Sequence, residues 1–235
     1  MPAVQSGHLY IVATPIGNPA DITLRALEIL RESAAVVCEE YREGSTLLKK
    51  LGILEKDLIT LNEHNEKEQI QAILVHLAEG KALALISDCG TPVFADPGSR
   101  LIREVSLAGF RTVPVPGPSS LMAALSILDQ RLDQFIFGGF LSRIPAQREA
   151  ELKTLRGYHL PVILMDTPYR LGNLLDEVAN VFGKDLPVTL ACDLTLPTEQ
   201  IFRGSITEIR QKVQKRKAEF ILVLHPPRKA STGRA

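Results

Sequence analysis

The 235-residue chain has no excess of charge of either sign and few cysteines. Lysine plus arginine and aspartate plus glutamate each number 27, so no global positive field attracts nucleic acid, and any RNA contact must be a local patch. The three cysteines, Cys38, Cys89 and Cys192, form no CxxC pair. This excludes a disulfide framework or a zinc-ligand set and favours a reducing, cytoplasmic location.

Several sequence signals are also missing. No apolar run is long enough to span a bilayer, and residues 1–7 show no basic segment leading into an apolar one, so we predict neither a membrane anchor nor a signal peptide. The five histidines have no metal-ligand spacing, and we predict no metal site. Neither the GxGxxG nor the GxxxxGK[ST] phosphate-binding motif is present.

Short apolar runs of strand length, such as 8–13, alternate with amphipathic helical segments in the first half of the chain, which predicts a parallel sheet covered by helices. In the second half, strand-like runs at 188–191 and 199–202 are close enough to form a hairpin, which predicts a mixed sheet. We therefore predict an α/β protein of two α/β domains. The first, 1–128, has a mostly parallel, Rossmann-like sheet; the second, 129–226, has the mixed sheet; and 227–235 is a flexible tail.

Three turns rich in glycine, proline, serine and aspartate directly follow predicted strands, at 14–19, 87–92 and 114–120. Open α/β sheets bind ligands at this edge. Glycine lets a ligand approach the backbone, and Asp88 offers a carboxylate to hydroxyl or cationic groups. Turns and helix caps require the same residue types, so each loop taken alone also fits a purely structural interpretation.

Several motifs follow one another in an order and spacing typical of one family. They are LYIVATPIGN at 9–18, DITLRAL at 21–27, LISDCGTP at 85–92, DPG at 96–98, VPVPGP at 113–118 and GFL at 139–141. In them the chain resembles the tetrapyrrole-methylase-like (class III) S-adenosylmethionine-dependent methyltransferases, and most closely the bacterial 16S rRNA (cytidine-2'-O)-methyltransferases. The resemblance covers roughly the whole chain except the tail. It implies a homodimer with S-adenosylmethionine in a cleft between two α/β domains.

The resemblance also implies which residues bind the cofactor and the substrate. The implied cofactor-binding residues are Thr14, Pro15, Ile16, Gly17, Asp88, Gly90, Thr91, Ser119 and Ser120 from the first domain, with Met165, Asp166 and Ala191 from the second. The implied substrate contacts are Asn18 and Arg170.

Two segments depart from the family pattern. An acidic pair followed by threonine and arginine is replaced by Glu39-Glu40-Tyr41-Arg42, and a tyrosine-glutamate-serine-proline-histidine-arginine run is replaced by residues 165–170, MDTPYR. These changes suggest a divergent paralogue. The alternatives are a methylase of a tetrapyrrole or another small acceptor, and a non-catalytic relative that binds cofactor or RNA.

Methyl transfer to a ribose hydroxyl requires removal of a proton, and Glu40 is our candidate for the base, with Arg42 holding a phosphate. The same charges also fit a solvated, ion-paired helix start. A basic run that includes Lys215 and Lys217 is a candidate for further phosphate contacts. That run equally fits the polar face and C-terminus of a helix, which the pattern predicts over 206–217.

Overall fold

The computed structural model describes residues 7–94, 98–214 and 216–227, which divide into two compact units. Unit 1 extends to Ser120 and unit 2 begins at Leu121. Among the described residues, no helix is both long and apolar enough to cross a membrane.

Unit 1 alternates strands and helices along the chain. Its elements are β1 (His8–Val12), α1 (Leu24–Glu32), β2 (Ala35–Cys38), α2 (Tyr41–Lys50), β3 (Asp57–Thr60), α3 (Glu66–Ala78), β4 (Leu83–Ile86), α4 (Ser99–Leu107) and β5 (Arg111–Val115). The strands form one sheet in the order β3-β2-β4-β1-β5, and all neighbours are parallel, which confirms the predicted parallel sheet. All five carboxyl ends therefore lie at one edge, where the loops after β4, β1 and β5 are neighbours.

The two faces of this sheet are covered by different helices. Ala26 and Leu30 of α1 pack with Val12 on one face, whereas Leu101 of α4 packs with Leu83 on the other. The chain thus continues from β1 to a helix on one face and from the adjacent strand β4 to a helix on the opposite face. This is the arrangement in which open α/β sheets bind ligands.

Unit 2 has a mixed sheet, as predicted. Its elements are α5 (Ser120–Ser126, starting at the last residue of unit 1), β6 (Ile136–Phe140), α6 (Pro145–Gly157), β7 (Val162–Met165), α7 (Leu171–Phe182), β8 (Pro187–Cys192), β9 (Gln200–Ser205), α8 (Ile206–Lys212) and β10 (Phe220–Leu224). The strand order is β6-β7-β10-β8-β9. The β6–β7 pair is parallel and the other pairs are antiparallel, with the predicted hairpin formed by β8 and β9.

Two boundaries differ from the sequence-based ones. All but the first residue of helix α5 belongs to unit 2, in which Ala124 packs with Ile163 and Ile221, so the units divide after Ser120 rather than after residue 128. Helix α8 ends at Lys212, whereas the amphipathic pattern predicted a helix to residue 217. After α8, Arg216 turns back to pair with Asp193, at an Nη2–Oδ2 distance of 2.7 Å. The predicted tail beyond Pro227 lies outside the described residues.

Candidate cofactor and substrate site

The loops after β1 and β4 are joined through Thr14, which is completely buried. Its main-chain N–H donates to the carbonyl oxygen of Gly90 at 2.8 Å. Its hydroxyl lies within donating distance of two carbonyl oxygens, at 3.1 Å from that of Ser87 and 3.2 Å from that of Gly90. The Thr14 hydroxyl therefore braces the two loops.

The loop after β5 joins the same assembly. The hydroxyl of Thr91 donates to the carbonyl oxygen of Pro118 at 3.2 Å, and the N–H of Ala13 donates to that of Val115, also at 3.2 Å. All three glycine-rich loops of the sequence analysis thus meet at the carboxyl edge of the sheet. Of the predicted cofactor-binding residues, this edge holds those of unit 1: Thr14, Pro15, Ile16, Gly17, Asp88, Gly90, Thr91, Ser119 and Ser120.

Two glycines allow the close approach of these loops. A Cβ atom on Gly117 would lie 3.0 Å from the Cβ of Ala13, and one on Gly90, whose φ is +85°, would lie 3.3 Å from Cγ2 of Ile16. The lack of side chains at Gly117 and at the buried Gly90 therefore lets the three loops pack closely against one another. Asp88 is exposed on the loop after β4, at the same edge. An exposed carboxylate fits the ammonium or ribose hydroxyls of S-adenosylmethionine.

The loop after β2 reaches the same edge because β2 is the neighbour of β4. The pKa of the Cys38 thiol, at the end of β2, is raised to about 11. Burial is the main cause, and the negative charges of Asp88 and Glu40 add to it. The two carboxylates thus lie within electrostatic reach of one thiol. Glu40 is exposed and precedes α2 without forming a side-chain cap, and Arg42 is exposed in the first turn of that helix.

Helix α2 is held against the end of β2 by the lack of a side chain at Gly44. A Cβ atom there would lie 2.7 Å from Sγ of Cys38. Gly44 therefore fixes the distance between the helix and the strand. This packing sets where Glu40 and Arg42 lie at the edge.

Asn18 has a local structural role. Its Oδ1 atom accepts the N–H of Ala20 at 3.1 Å and caps the short helical turn Pro19–Asp21. The following helix, α1, is capped by Thr23, whose hydroxyl oxygen accepts the N–H of Ala26 at 3.1 Å.

Three of the predicted cofactor-binding residues belong to unit 2. Met165 at the end of β7 and Ala191 on β8 both pair with Ile221 of the intervening strand β10, which brings them to one face of the sheet. Asp166 is 5% exposed, and its carboxylate has partners within unit 2. Its Oδ1 accepts the N–H of Thr167 at 2.8 Å, and its Oδ2 lies 3.4 Å from Nε of Arg170.

Two of the predicted substrate contacts, Arg170 and Lys217, lie at one edge of the unit 2 sheet. Lys217 is exposed, and its Nζ lies 4.7 Å from the centroid of the Tyr169 ring, next to Arg170 in the sequence. The third basic residue, Lys215, lies outside the described residues.

The sequence analysis did not identify the loop after β3 as part of the carboxyl edge of the unit 1 sheet. It is tied to β2 by the N–H of Leu61, which donates to the carbonyl oxygen of Cys38 at 2.8 Å, and it exposes His64. The available signal was the polar run Asn62-Glu63-His64-Asn65 directly after a predicted strand. Within the described part of the chain, no group of three or more histidine, cysteine, aspartate or glutamate residues could hold a metal ion.

Comparison with known proteins agrees with this architecture. Residues 8–210 match the model of the Tetrapyrrole (Corrin/Porphyrin) Methylases. The chain is 37% identical over 228 residues to ribosomal RNA small subunit methyltransferase I of Neisseria meningitidis serogroup B, covering 95% of this chain and 78% of the relative. It is 39% identical over 220 residues to the Thermotoga maritima protein of the same name, covering 93% and 98%.

Solved structures share the fold at lower identity. A cobalt precorrin-4 methyltransferase from cobalamin biosynthesis superposes with a TM-score of 0.70 at 18% identity, covering 93% of this chain and 94% of that one. The uroporphyrin-III-C-methyltransferase of Thermus thermophilus superposes with a TM-score of 0.64 at 21% identity, with the same coverage. These two similarities establish the fold alone.

Proposed function

The chain belongs to the tetrapyrrole (corrin/porphyrin) methylases and is an S-adenosylmethionine-dependent methyltransferase, and we propose that it methylates small-subunit ribosomal RNA at the 2'-hydroxyl of a cytidine. The observation that carries the RNA substrate is the 37% and 39% identity, over more than nine tenths of the chain, to relatives named for that activity. The choice of a cytidine, and of its 2'-hydroxyl as the group that is methylated, rests on the motif resemblance.

The proposed cofactor site of unit 1 is the edge formed by the loops after β1, β4 and β5. Asp88 is assigned to the amino-acid or ribose part of the cofactor because it is an exposed carboxylate at the edge where the three loops meet. The contacts to adenine from Met165, Asp166 and Ala191 remain predictions from the resemblance. For Asp166 the bonds to Thr167 and Arg170 support a positioning role.

Bound S-adenosylmethionine supplies a methyl group carried on a sulfonium sulfur. We assign to the Glu40 carboxylate the removal of the proton that the acceptor hydroxyl loses as its oxygen–carbon bond forms. Glu40 is exposed, follows β2 and acts electrostatically on the same thiol as Asp88. Arg42, two residues further on, is assigned to a phosphate of the RNA. We propose that the protein makes further contacts with RNA through Asn18, Arg170 and Lys217, and through Lys215, which lies outside the described residues.

A tetrapyrrole acceptor has weaker support. The tetrapyrrole enzymes named above are 18% and 21% identical to this chain, about half the identity of the ribosomal RNA methyltransferases. The shared scaffold accommodates different acceptors, so the fold does not favour either one.

Methyl transfer from tritiated S-adenosylmethionine distinguishes these acceptors. The protein is incubated in parallel with small ribosomal subunits lacking the cytidine modification, with protein-free small-subunit RNA and with a tetrapyrrole. We expect label in RNA. Label in the tetrapyrrole alone, or no label from a protein that binds the cofactor by calorimetry, would contradict the proposal.

We also propose a cytoplasmic homodimer. The cytoplasm follows from the proposed ribosomal substrate, and the dimer rests on the family resemblance. Light scattering coupled to gel filtration checks the dimer, and a mass of one chain would contradict it.

A further inference from the structure

One edge of unit 2 exposes aromatic side chains next to cations. Phe140 ends β6 and pairs with Met165, which ends the parallel strand β7, so the segments after both strands leave at the same edge. Phe140 is 53% exposed, and Tyr169, which follows β7, is 76% exposed. Single exposed aromatics are common on protein surfaces. Two that follow adjacent strands are a more specific feature.

A cation lies near the Tyr169 ring, and another follows Phe140 in the sequence. Lys217 precedes β10, which is antiparallel to β7, so it reaches the edge where β7 ends. Its ammonium lies 4.7 Å from the centroid of the Tyr169 ring, within the range of a cation–π interaction. Arg143 is exposed after β6, and Arg170 follows Tyr169. We refer to Phe140, Arg143, Tyr169, Arg170 and Lys217 as the aromatic–basic edge.

The turn that carries Tyr169 is held by contacts with the buried carboxylate of Asp166. The carboxylate of Asp166, which is nearly fully buried, accepts the N–H of Thr167 at 2.8 Å and lies 3.4 Å from Nε of Arg170. Pro168 then begins the short helical turn Pro168–Arg170. The aromatic ring is therefore presented on a constrained turn, which lowers the entropy lost when a ligand binds to it.

We propose that the aromatic–basic edge binds unpaired RNA, with a nucleobase stacked on the ring of Tyr169 and phosphates paired with Lys217 and Arg143. The identity of the ligand rests on the proposed function. The bases of an RNA duplex are already stacked on one another, so an exposed ring can stack only on an unpaired base. The Tyr169 ring and the adjacent Lys217 ammonium offer one contact for a base and one for a phosphate of such a strand. Because the chain has no net charge, a local patch of this kind is what contact with RNA requires.

Fluorescence anisotropy with a labelled single-stranded RNA oligonucleotide tests this assignment. We expect Tyr169→Ala to weaken binding about 5- to 150-fold, because the stacking surface is removed. Tyr169→Phe keeps the ring face and should bind within about twofold of the unchanged protein. Lys217→Ala should weaken binding and reduce the salt dependence by about one phosphate contact. A duplex should bind the unchanged protein and Tyr169→Ala equally.

Tyr158→Ala is the matched control. Tyr158 is 58% exposed and precedes β7, so it lies at the opposite edge of the sheet, and its removal should leave RNA affinity unchanged. Calorimetric binding of S-adenosylmethionine shows that each variant is folded. The assignment is overturned if Tyr169→Ala binds the oligonucleotide as the unchanged protein does. Equal losses in Tyr169→Phe and Tyr169→Ala would overturn stacking.

Methyl transfer to small ribosomal subunits separates this assignment from the proposed function. If RNA binding depends on Tyr169 but no methyl group is transferred to any ribosomal acceptor, the edge is supported and the proposed function fails. If the unchanged protein and Tyr169→Ala methylate and bind RNA equally well, the proposed function stands and the assignment of the edge is overturned.

Discussion

Thr14 and Gly90, which are far apart in sequence, are joined by the Thr14 N–H, 2.8 Å from the Gly90 carbonyl oxygen, and by the Thr14 hydroxyl, 3.2 Å from the same oxygen. Because Thr14 follows β1 and Gly90 follows β4, this contact fixes the spacing of two loops of the proposed cofactor site. Because Thr14 is completely buried, its hydroxyl cannot bond to water in place of the carbonyl oxygens of Ser87 and Gly90.

Replacement of Thr14 by valine keeps the shape of the side chain and removes its donor. We expect Thr14→Val to lower the free energy of unfolding by about 1 to 2 kcal/mol, because buried carbonyls lose a partner. Affinity for S-adenosylmethionine should fall with it as the loops lose their spacing. Thr14→Ser retains the hydroxyl and is the control. Urea unfolding and calorimetry measure the two effects, and a Thr14→Val protein as stable as the original would rule out the bracing role.

Cys89 provides a chemical probe of the same loops. It is the exposed cysteine, whereas Cys38 and Cys192 are buried, and burial is the main cause that raises the pKa of each of these two thiols to about 11. We expect one fast-reacting thiol with dithionitrobenzoate at neutral pH, which Cys89→Ser removes. S-adenosylmethionine should slow the reaction because Cys89 is next to Asp88. An unchanged rate at saturating cofactor would contradict the placement of the cofactor at this loop.

Gly44 tests whether the packing of α2 matters for activity. A methyl group at this position would overlap Sγ of Cys38, so Gly44→Ala should displace the helix and cost about 1 to 3 kcal/mol of stability. Methyl transfer should fall because Glu40 and Arg42 move with the helix. Gly157→Ala is the control, since its added methyl group would have no neighbour within 4 Å at the end of α6. Equal stability of the two variants would show that α2 packs differently.

Glu40→Gln tests the proposed base. The amide keeps the size of the side chain but cannot accept the proton, so we expect turnover to fall by about 10²- to 10⁴-fold with cofactor affinity unchanged. Glu43→Gln, in the first turn of α2, is the control for the loss of one negative charge. Turnover by Glu40→Gln equal to that of Glu43→Gln would remove Glu40 from the mechanism, and the same assay on His64→Ala would then test the loop after β3.

The strands of the unit 1 sheet were predictable because each is a short apolar run bounded by turn residues. The run predicted at 8–13, for example, is β1, His8–Val12. The sequence offered a helix start near Glu40 as one of two interpretations, but the extent of α2 was not predicted, since Tyr41–Lys50 is mostly polar and buries only Gly44 and Leu48. The end of α8 was placed too late because a tertiary contact, the pairing of Arg216 with Asp193, redirects the chain after Lys212.

The residue types of the site were predictable, but their neighbours were not. Sequence reasoning placed the glycine-rich loops after strands, whereas only the strand order puts the loop of Glu40 beside that of Asp88. The internal bonds of Asp166 and Thr14 depend on residues distant in sequence or on the local turn, and no motif reveals them. Proximity in the sheet, rather than spacing in the sequence, defines this edge.

The most direct test of the central claim is to map the methyl group on small-subunit RNA by nuclease digestion and mass spectrometry. Subunits lacking the cytidine modification are incubated with S-adenosylmethionine and either the unchanged protein or Glu40→Gln. The account predicts a methyl group on the ribose of one cytidine, present with the unchanged protein and nearly absent with the variant. A methyl group on a base or another nucleotide, or none on RNA, would contradict it.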